Sequence, residues 1–169
     1  MYWSSVPIRD ALTDLHNRTF FERRLPEDMA RANLEETSLA LLYIDLDGFK
    51  PVNDLYGRET GDAVLREVAL RLRKGLRQND MVCRIGGDEF AVILPGVSSR
   101  DDARTIAEKM INRLSQPYSI MGKVQNLGAS IGVAFLNKDT HDSHDLVRKA
   151  DAAMYRAKQS GKGCVFFAD

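Results

Sequence analysis

The sequence predicts an α/β (α+β) fold, a mixed, largely antiparallel central sheet flanked by helices. Three observations carry this. Apolar runs of strand character alternate with stretches of helical periodicity along the chain. Two of the connections between strand-like runs read as hairpins, which demand antiparallel neighbours. One run, Ser38-Leu-Ala-Leu-Leu-Tyr-Ile-Asp45, is nearly continuous apolar sequence, as suits a central strand buried on both faces. The expectation is a three-layer α/β sandwich and not a doubly wound parallel sheet.

Taken in order, residues 1–10 read as an N-terminal lead or linker containing Trp3 and Pro7, and residues 11–169 as one domain. Asn17 is a fair N-cap for a helix from Arg18 toward Asn33, with a kink or break expected at Pro26. His16 suits a surface or capping role. The apolar run then stops at Asp45-Leu-Asp-Gly-Phe-Lys50, and Phe49, Val52 and Leu55 continue as a short helical turn. Thr60 to Arg77 carries Val64, Leu65, Val68, Ala69, Leu72 and Leu76 at helical spacing, a helix with one apolar face and Asp62 in its first turn. Met81 to Leu94 forms a hairpin about Gly86 and Gly87, because Gly supplies the φ > 0 of a tight turn. Ser99 opens a helix through Leu114, and Pro117 ends it. Tyr118 to Met121, a Gly122-Lys123 turn, and Val124 to Leu136 read as a second hairpin, irregular at residues 126–130. A last helix begins at Asp142 or Ser143 and ends at Gly161, and Cys164 to Phe166 form a closing strand.

Composition limits the partners. With 44% hydrophobic residues in 169, the chain can bury a substantial core. Lys plus Arg equal Asp plus Glu, 24 against 24, so there is no basic excess to hold nucleic acid or an anionic membrane. Cys83 and Cys164 match no paired metal spacing and suit buried free thiols in a reducing, cytoplasmic compartment. The sequence contains no signal peptide, long apolar span or repeat. It starts almost at its first motif, as a domain cut from a longer protein would.

The chemistry lies in the acids. A carboxylate ending a buried strand, Asp45, is costly unless paired or bound to metal, although an Asp there also caps helices. Asp88 and Glu89 sit on the hairpin turn beside bare Gly backbone, where a divalent cation and a bulky anion could both approach. If that hairpin flanks the first strand, Asp45 and Asp88 converge. Carboxylates, one main-chain carbonyl and phosphate oxygens around two hard cations is an arrangement for in-line displacement at phosphorus. Phosphate donors are at hand in the amides after Asp45, in Lys50, and in Lys158 and Lys162. Gly161-Lys162 belongs to no Walker A loop, since Arg156 stands in the place of its first Gly.

Arg84-Ile-Gly-Gly-Asp-Glu-Phe90 resembles the signature of the GGDEF family, the diguanylate cyclases. The likeness extends in order through Asp10-Ala-Leu-Thr-Asp-Leu-His-Asn-Arg18, Asp45-Leu-Asp-Gly-Phe-Lys50 with Asn53-Asp54, Gly61-Asp62, Ser130-Ile-Gly-Val133 and Ala150 to Lys158. The resemblance implies a fold close to the catalytic palm of nucleotide cyclases and polymerases. It implies condensation of two GTP into cyclic di-GMP with release of two pyrophosphates, across two copies of the domain that face each other. By the same resemblance Asp45, the Leu46 carbonyl, Asp88 and Glu89 would hold two Mg²⁺, or Mn²⁺, and Asp88 or Glu89 would help deprotonate the 3′-hydroxyl. Lys50 would stabilise developing charge. Gly48 and Phe49 would hold terminal phosphates through their amides, with Lys158 and Lys162 outside them, and Gly86 and Gly87 would line the substrate. Asn53 and Asp62 would read guanine, whose N1–H and 2-amino group are donors that adenine lacks. Arg58 stands where the family usually has a substrate-contacting His. Arg77 and Asp80 resemble the family's inhibitory product site, an Arg-x-x-Asp, for which a surface ion pair is the plain structural alternative.

Two readings of activity remain open at this level: a working cyclase, or a silent module that binds GTP or cyclic di-GMP and regulates a neighbour. Gln116-Pro-Tyr118 and Phe166-Phe-Ala-Asp169 resemble domains fused to an EAL phosphodiesterase, where the cyclase half is often regulatory. The intact acids favour activity.

Overall fold

The structure, a computed structural model, describes residues 6–169. The part of the predicted lead that contains Trp3 lies outside the described residues. Among the described residues five helices and seven strands follow one another as α1 (Arg18–Glu35), β1 (Leu39–Asp47), α2 (Phe49–Tyr56), α3 (Arg58–Arg73), β2 (Met81–Gly86), β3 (Glu89–Pro95), α4 (Arg100–Leu114), β4 (Tyr118–Ile120), β5 (Lys123–Gln125), β6 (Gly128–Phe135), α5 (Ser143–Gln159) and β7 (Val165–Phe167). Five strands form the central sheet in the order β2-β3-β1-β6-β7, antiparallel except for the parallel β6–β7 pair. This is the mixed, largely antiparallel sheet expected.

Alternation along β1 divides the core. Ala40, Leu42, Ile44 and Leu46 face α3 and α4, joining Val64, Val68, Leu72, Ala107 and Met110. Leu39, Leu41 and Tyr43 face α1 and α5, joining Phe21, Leu25, Met29, Leu146 and Met154. Burial of both faces explains why β1 reads as unbroken apolar sequence.

Several boundaries differ from expectation. Pro26 neither breaks nor ends α1. It forfeits one main-chain donor, but Phe21 and Leu25 before it and Met29 and Ala32 after it are all anchored on the sheet. Asn17 caps the helix by accepting from the Phe20 amide at 2.9 Å. The first strand runs on to Asp47, so Asp45 lies within the ladder, opposite Glu89 on one side and Ser130 on the other. Helix α3 starts at Arg58 and stops at Arg73, because Gly75 takes a left-handed φ of 79° and turns the chain; Leu76 still packs on the core from the loop. The second hairpin is split. β5 pairs only with β4 in a small separate sheet, and after residues 126–127 the chain joins the central sheet as β6. The closing strand is displaced by one residue from that expected, to Val165–Phe167.

His16 is not a simple surface residue. Its main chain bridges Arg9 and Cys83, its ring stacks on Phe20 at 4.0 Å, and its Nδ1 is buried without a partner. Both cysteines are free thiols, Cys83 buried and Cys164 half-buried. Among the described residues no helix is long and apolar enough to cross a membrane.

Candidate active site

The β2–β3 turn is the point of convergence. β3 lies directly beside β1, which sets Asp45 opposite Glu89. The turn is fastened to β1 by the Leu46 amide, which donates to the Asp88 carbonyl at 3.2 Å. Asp45, Asp88 and Glu89 thus crowd one end of the central strands. The crowding shows in their proton affinities. Burial first, then the charge of Asp88, pushes the Asp45 carboxyl up to about 6, with Glu89 adding to the shift and Lys158 opposing it. Burial likewise raises Glu89, helped by the nearby charge of Asp151, while the Tyr43 hydroxyl donates to its Oε1 at 3.3 Å and pulls the other way.

Asp45 Oδ1 is buried and has no hydrogen-bond partner. An orphaned buried carboxylate oxygen among other acids is a seat for a cation. Among the described residues, no three His, Cys, Asp or Glu side chains converge to hold a metal by themselves. A hard cation here would therefore take Asp45 and Asp88, the Leu46 carbonyl, and oxygens of its ligand. That donor set, all oxygen and open on one side, fits Mg²⁺ held chiefly against phosphate.

Lys158 reaches this seat from α5. Its Nζ donates to the Leu46 carbonyl at 2.9 Å, and it lies 2.8 Å from Asp47 Oδ1 and 3.6 Å from Asp45 Oδ2. Asp47 is a residue that the sequence reading passed over. It is buried, and it accepts from the Ser130 hydroxyl at 2.9 and 3.1 Å and from the Gly163 amide at 2.9 Å. The available signal was its spacing, since an Asp two residues after Asp45 in a strand must share its face.

The remaining predicted ligands lie on the elements that follow β1, on the β2–β3 turn and after α5. Gly48, with a left-handed φ of 82°, turns β1 into α2, so its amide and that of Phe49 lie at the strand's end. Lys50 on α2, Arg58 at the start of α3 and Lys162 after α5 are exposed. Gly86 and Gly87 are also exposed, and a Cβ on either would meet nothing within 4 Å. Asn53 on α2 packs against α3 at Gly61, the residue before Asp62. A Cβ at Gly61 would fall on the Asn53 Oδ1, well inside van der Waals contact. The absent side chain at Gly61 is thus what lets the Asn53 amide lie against α3. Because Asn53 is expected to read guanine, Gly61→Ala should hold or raise thermal stability, by up to about 1 kcal/mol as helix propensity dictates, while weakening guanine nucleotide binding roughly tenfold, the loss of one well-placed hydrogen bond to a polar base edge. Melting and nucleotide titration of the same sample check both signs.

A cavity of about 550 Å³ between α1 and α5, lined in part by Phe21, Leu25, Tyr43, Ile85 and Asp151, lies outside the predicted ligand set. The site is identified by its chemistry and not by concavity.

Comparison with known proteins agrees with this fold. Residues 8–164 match the family described as "Diguanylate cyclase, GGDEF domain". The chain belongs to the GGDEF family. It is 45% identical over 163 residues to the bifunctional diguanylate cyclase/cyclic di-GMP phosphodiesterase MucR of Pseudomonas aeruginosa, covering 96% of this chain and 24% of MucR. It is 41% identical over 155 residues to the diguanylate cyclase TpbB of the same species, covering 91% of this chain and 36% of TpbB. The chain therefore spans about a quarter to a third of these relatives. The crystallised GGDEF domain of TpbB superposes with a TM-score of 0.91 at 40% identity, over 95% of this chain and 94% of that one. The GGDEF domain of DgcB from Caulobacter crescentus, solved in complex with cyclic di-GMP, superposes with a TM-score of 0.89 at 30% identity, over 96% of each chain.

The GGDEF signature is braced from outside the sheet. Arg84 donates to the Gly87 carbonyl at 2.8 and 3.1 Å and to the Asp10 carboxylate at 3.1 and 3.2 Å, while Asp10 is fixed by the Thr13 amide and hydroxyl. The Asp10–Arg18 motif and the GGDEF signature are thus physically one unit, with the Arg84 amide donating to the His16 carbonyl at 2.9 Å. Arg77 and Asp80 stand apart, before β2 and so at the other end of the hairpin, about 17 Å from the turn at the usual strand rise. Arg77 grips Asp80 through Nε and Nη2 at 2.6–3.1 Å and also donates to the Pro95 carbonyl. Arg77 is exposed and the Asp80 carboxylate covered, with the guanidinium fork turned to its own acid.

Proposed function

We propose that this GGDEF domain condenses two GTP into cyclic di-GMP and two pyrophosphates. The observation that carries the reading is the meeting of Asp45 with Asp88 around an unpartnered carboxylate oxygen. Divalent cations, Mg²⁺ or Mn²⁺, held there by Asp45, Asp88 and the Leu46 carbonyl, with Glu89 assisting, would neutralise phosphate charge and favour the ionised 3′-hydroxyl. The protein's own groups do the rest. Asn53 and Asp62 bind the guanine edge, and the amides of Gly48 and Phe49 hold the terminal phosphates. Gly86 and Gly87 admit the nucleotide closely because they carry no side chain. Lys50, Lys158 and Lys162 balance the phosphates, and Arg58 adds a further exposed cation near the start of α3. Glu89 is engaged by Tyr43, which leaves Asp88, on the turn itself, to take the hydroxyl proton.

Each domain holds one GTP, so the reaction requires a second loaded copy. Orientation of reacting groups can be equivalent to about 10⁵–10⁸ M, and the isolated domain gains it only on encounter. In the complete protein we place this unit on the cytoplasmic side, where GTP is available, and beside a phosphodiesterase unit of the EAL type, a reading supported by the identity with MucR. Cyclic di-GMP returns as a ligand at Arg77 and Asp80, where it would exchange Asp80 for phosphate on the guanidinium.

Incubation with GTP and Mg²⁺, followed by chromatography for cyclic di-GMP, tests the reaction, with Asp88→Ala as the inactive control. Turnover per molecule should rise with protein concentration. A domain that binds GTP with Mg²⁺ but forms no product even at high concentration would be the silent regulatory module instead.

A further inference from the structure

Lys158 sits where a metal ion is assigned. Of the three oxygens around its ammonium, the Leu46 carbonyl at 2.9 Å and Asp45 Oδ2 at 3.6 Å are the groups proposed to hold the cation. The third, Asp47 Oδ1 at 2.8 Å, belongs to a carboxylate with no freedom of its own. Asp47 is 8% exposed and held by the Ser130 hydroxyl and the Gly163 amide. Gly128 closes against it, since a Cβ there would lie 3.3 Å from Asp47 Oδ2. The lysine is the movable member of this pair, a compact charge on a flexible four-carbon stem.

We propose that Asp47 is a positioning residue that parks the Lys158 ammonium in the cation seat of the unloaded domain, so that lysine and metal occupy the seat alternately. An ammonium on Leu46 and Asp45 both repels a divalent ion and takes its ligands. Metal arriving alone must displace a lysine that has nowhere better to go. Metal arriving with a nucleotide releases the lysine to the terminal phosphates. The two ligands are therefore coupled: each raises the affinity for the other, beyond their direct contact with each other. The empty acids are meanwhile neutralised without a loosely held ion. The inference rests on the assignment of the cation seat made above, and it extends that assignment to the order of loading.

Mn²⁺ binding, followed by electron paramagnetic resonance, tests this without turnover. In nucleotide-free protein Lys158→Met should bind Mn²⁺ about tenfold more tightly than wild type. The increase in Mn²⁺ affinity caused by a non-hydrolysable GTP analogue should be smaller in the variant by the same factor. Lys149→Met removes a charge from the same helix that is paired with Asp145, and it should leave nucleotide-free Mn²⁺ affinity within about twofold. An unchanged or weaker affinity in Lys158→Met overturns the proposal, and so does equal tightening by Lys149→Met, which would mean a general field effect.

A second measurement needs no substitution. The side-chain ¹⁵Nζ resonance of Lys158 should be visible in the free protein, because hydrogen bonds order it, and should move on adding Mg²⁺ with the analogue. In Asp47→Asn that resonance should vanish from the free protein. A Lys158 signal that stays in place on loading, or persists in Asp47→Asn, contradicts the parking role. Failure of the wild type to bind Mn²⁺ even with the analogue would instead sink the assignment of the site itself.

Discussion

Asp45→Asn should lower cyclic di-GMP synthesis at least about 100-fold, while making the metal-free domain more stable at neutral pH. Loss of a residue that merely supports a metal ligand typically costs 10–100-fold, and Asp45 is proposed as a direct ligand. The gain in stability follows from its surroundings. The folded protein raises this carboxyl from an ordinary 3.8 to about 6, by burial and by the charge of Asp88. Between these values Asp45 in the folded state binds more protons than in the unfolded chain, so its own contribution to stability is greatest below pH 4 and is lost as pH rises through 6. The asparagine carries no such penalty. Discounted for solvent screening of a half-buried group, the difference at pH 7–8 is about 1 kcal/mol. It should disappear when both proteins are melted near pH 4. Melting curves in chelator from pH 4 to 8, with an activity assay beside them, check all three statements. A variant less stable than wild type at pH 8 would mean that Asp45 is held in place by contacts and is not strained by its neighbours.

Gly132→Ala should be the more damaging change to the fold, although it lies in the middle of an ordinary strand. A Cβ there would collide with the Ala150 carbonyl and the Met154 amide, with the Ala153 carbonyl carbon behind them. These are main-chain atoms of α5, which cannot rotate aside as a side chain can. The helix must lift from β6 or the strand must bend. Overpacking of this kind costs about 1–3 kcal/mol and occasionally more, and contact with rigid backbone places this case at the upper end. Function should suffer out of proportion, because α5 carries Lys158 to the end of β1. Denaturant unfolding should show a lowered midpoint, and the surviving folded fraction should bind GTP with Mg²⁺ poorly. Full stability in this variant would mean that α5 does not rest on β6 as closely as the structure has it.

What could be read from the sequence was whatever local chemistry decides. The turn after Gly86 was legible because its φ requirement is local, met by Gly87 with a left-handed φ of 49°. β1 was legible because burial on both faces leaves no polar alternation. The site acids were legible as a set because a hairpin that flanks the first strand brings its turn beside that strand. What escaped depends on partners distant in the chain. β1 extends to Asp47 because Leu46 and Asp47 pair with Ala129 and Gly128 of β6, which nothing near residue 45 announces. The run from Val124 to Leu136 reads as one strand, yet its two halves serve different sheets. Asp47 draws no notice in the sequence until Ser130 and Gly163 are brought to it. Gly61 and Gly132 look alike on paper. One makes room for an amide and the other for a helix.

The order of the strands has a consequence for how this protein comes into being. β1 is made early in synthesis, but its two neighbours in the sheet, β3 and β6, come much later, and α5 later still. Closing such long loops delays the reward of pairing. A chain still emerging from the ribosome therefore holds a bare, apolar β1 with neither edge covered. The nucleotide site is among the last features to exist, assembled only once nearly the whole domain has been translated.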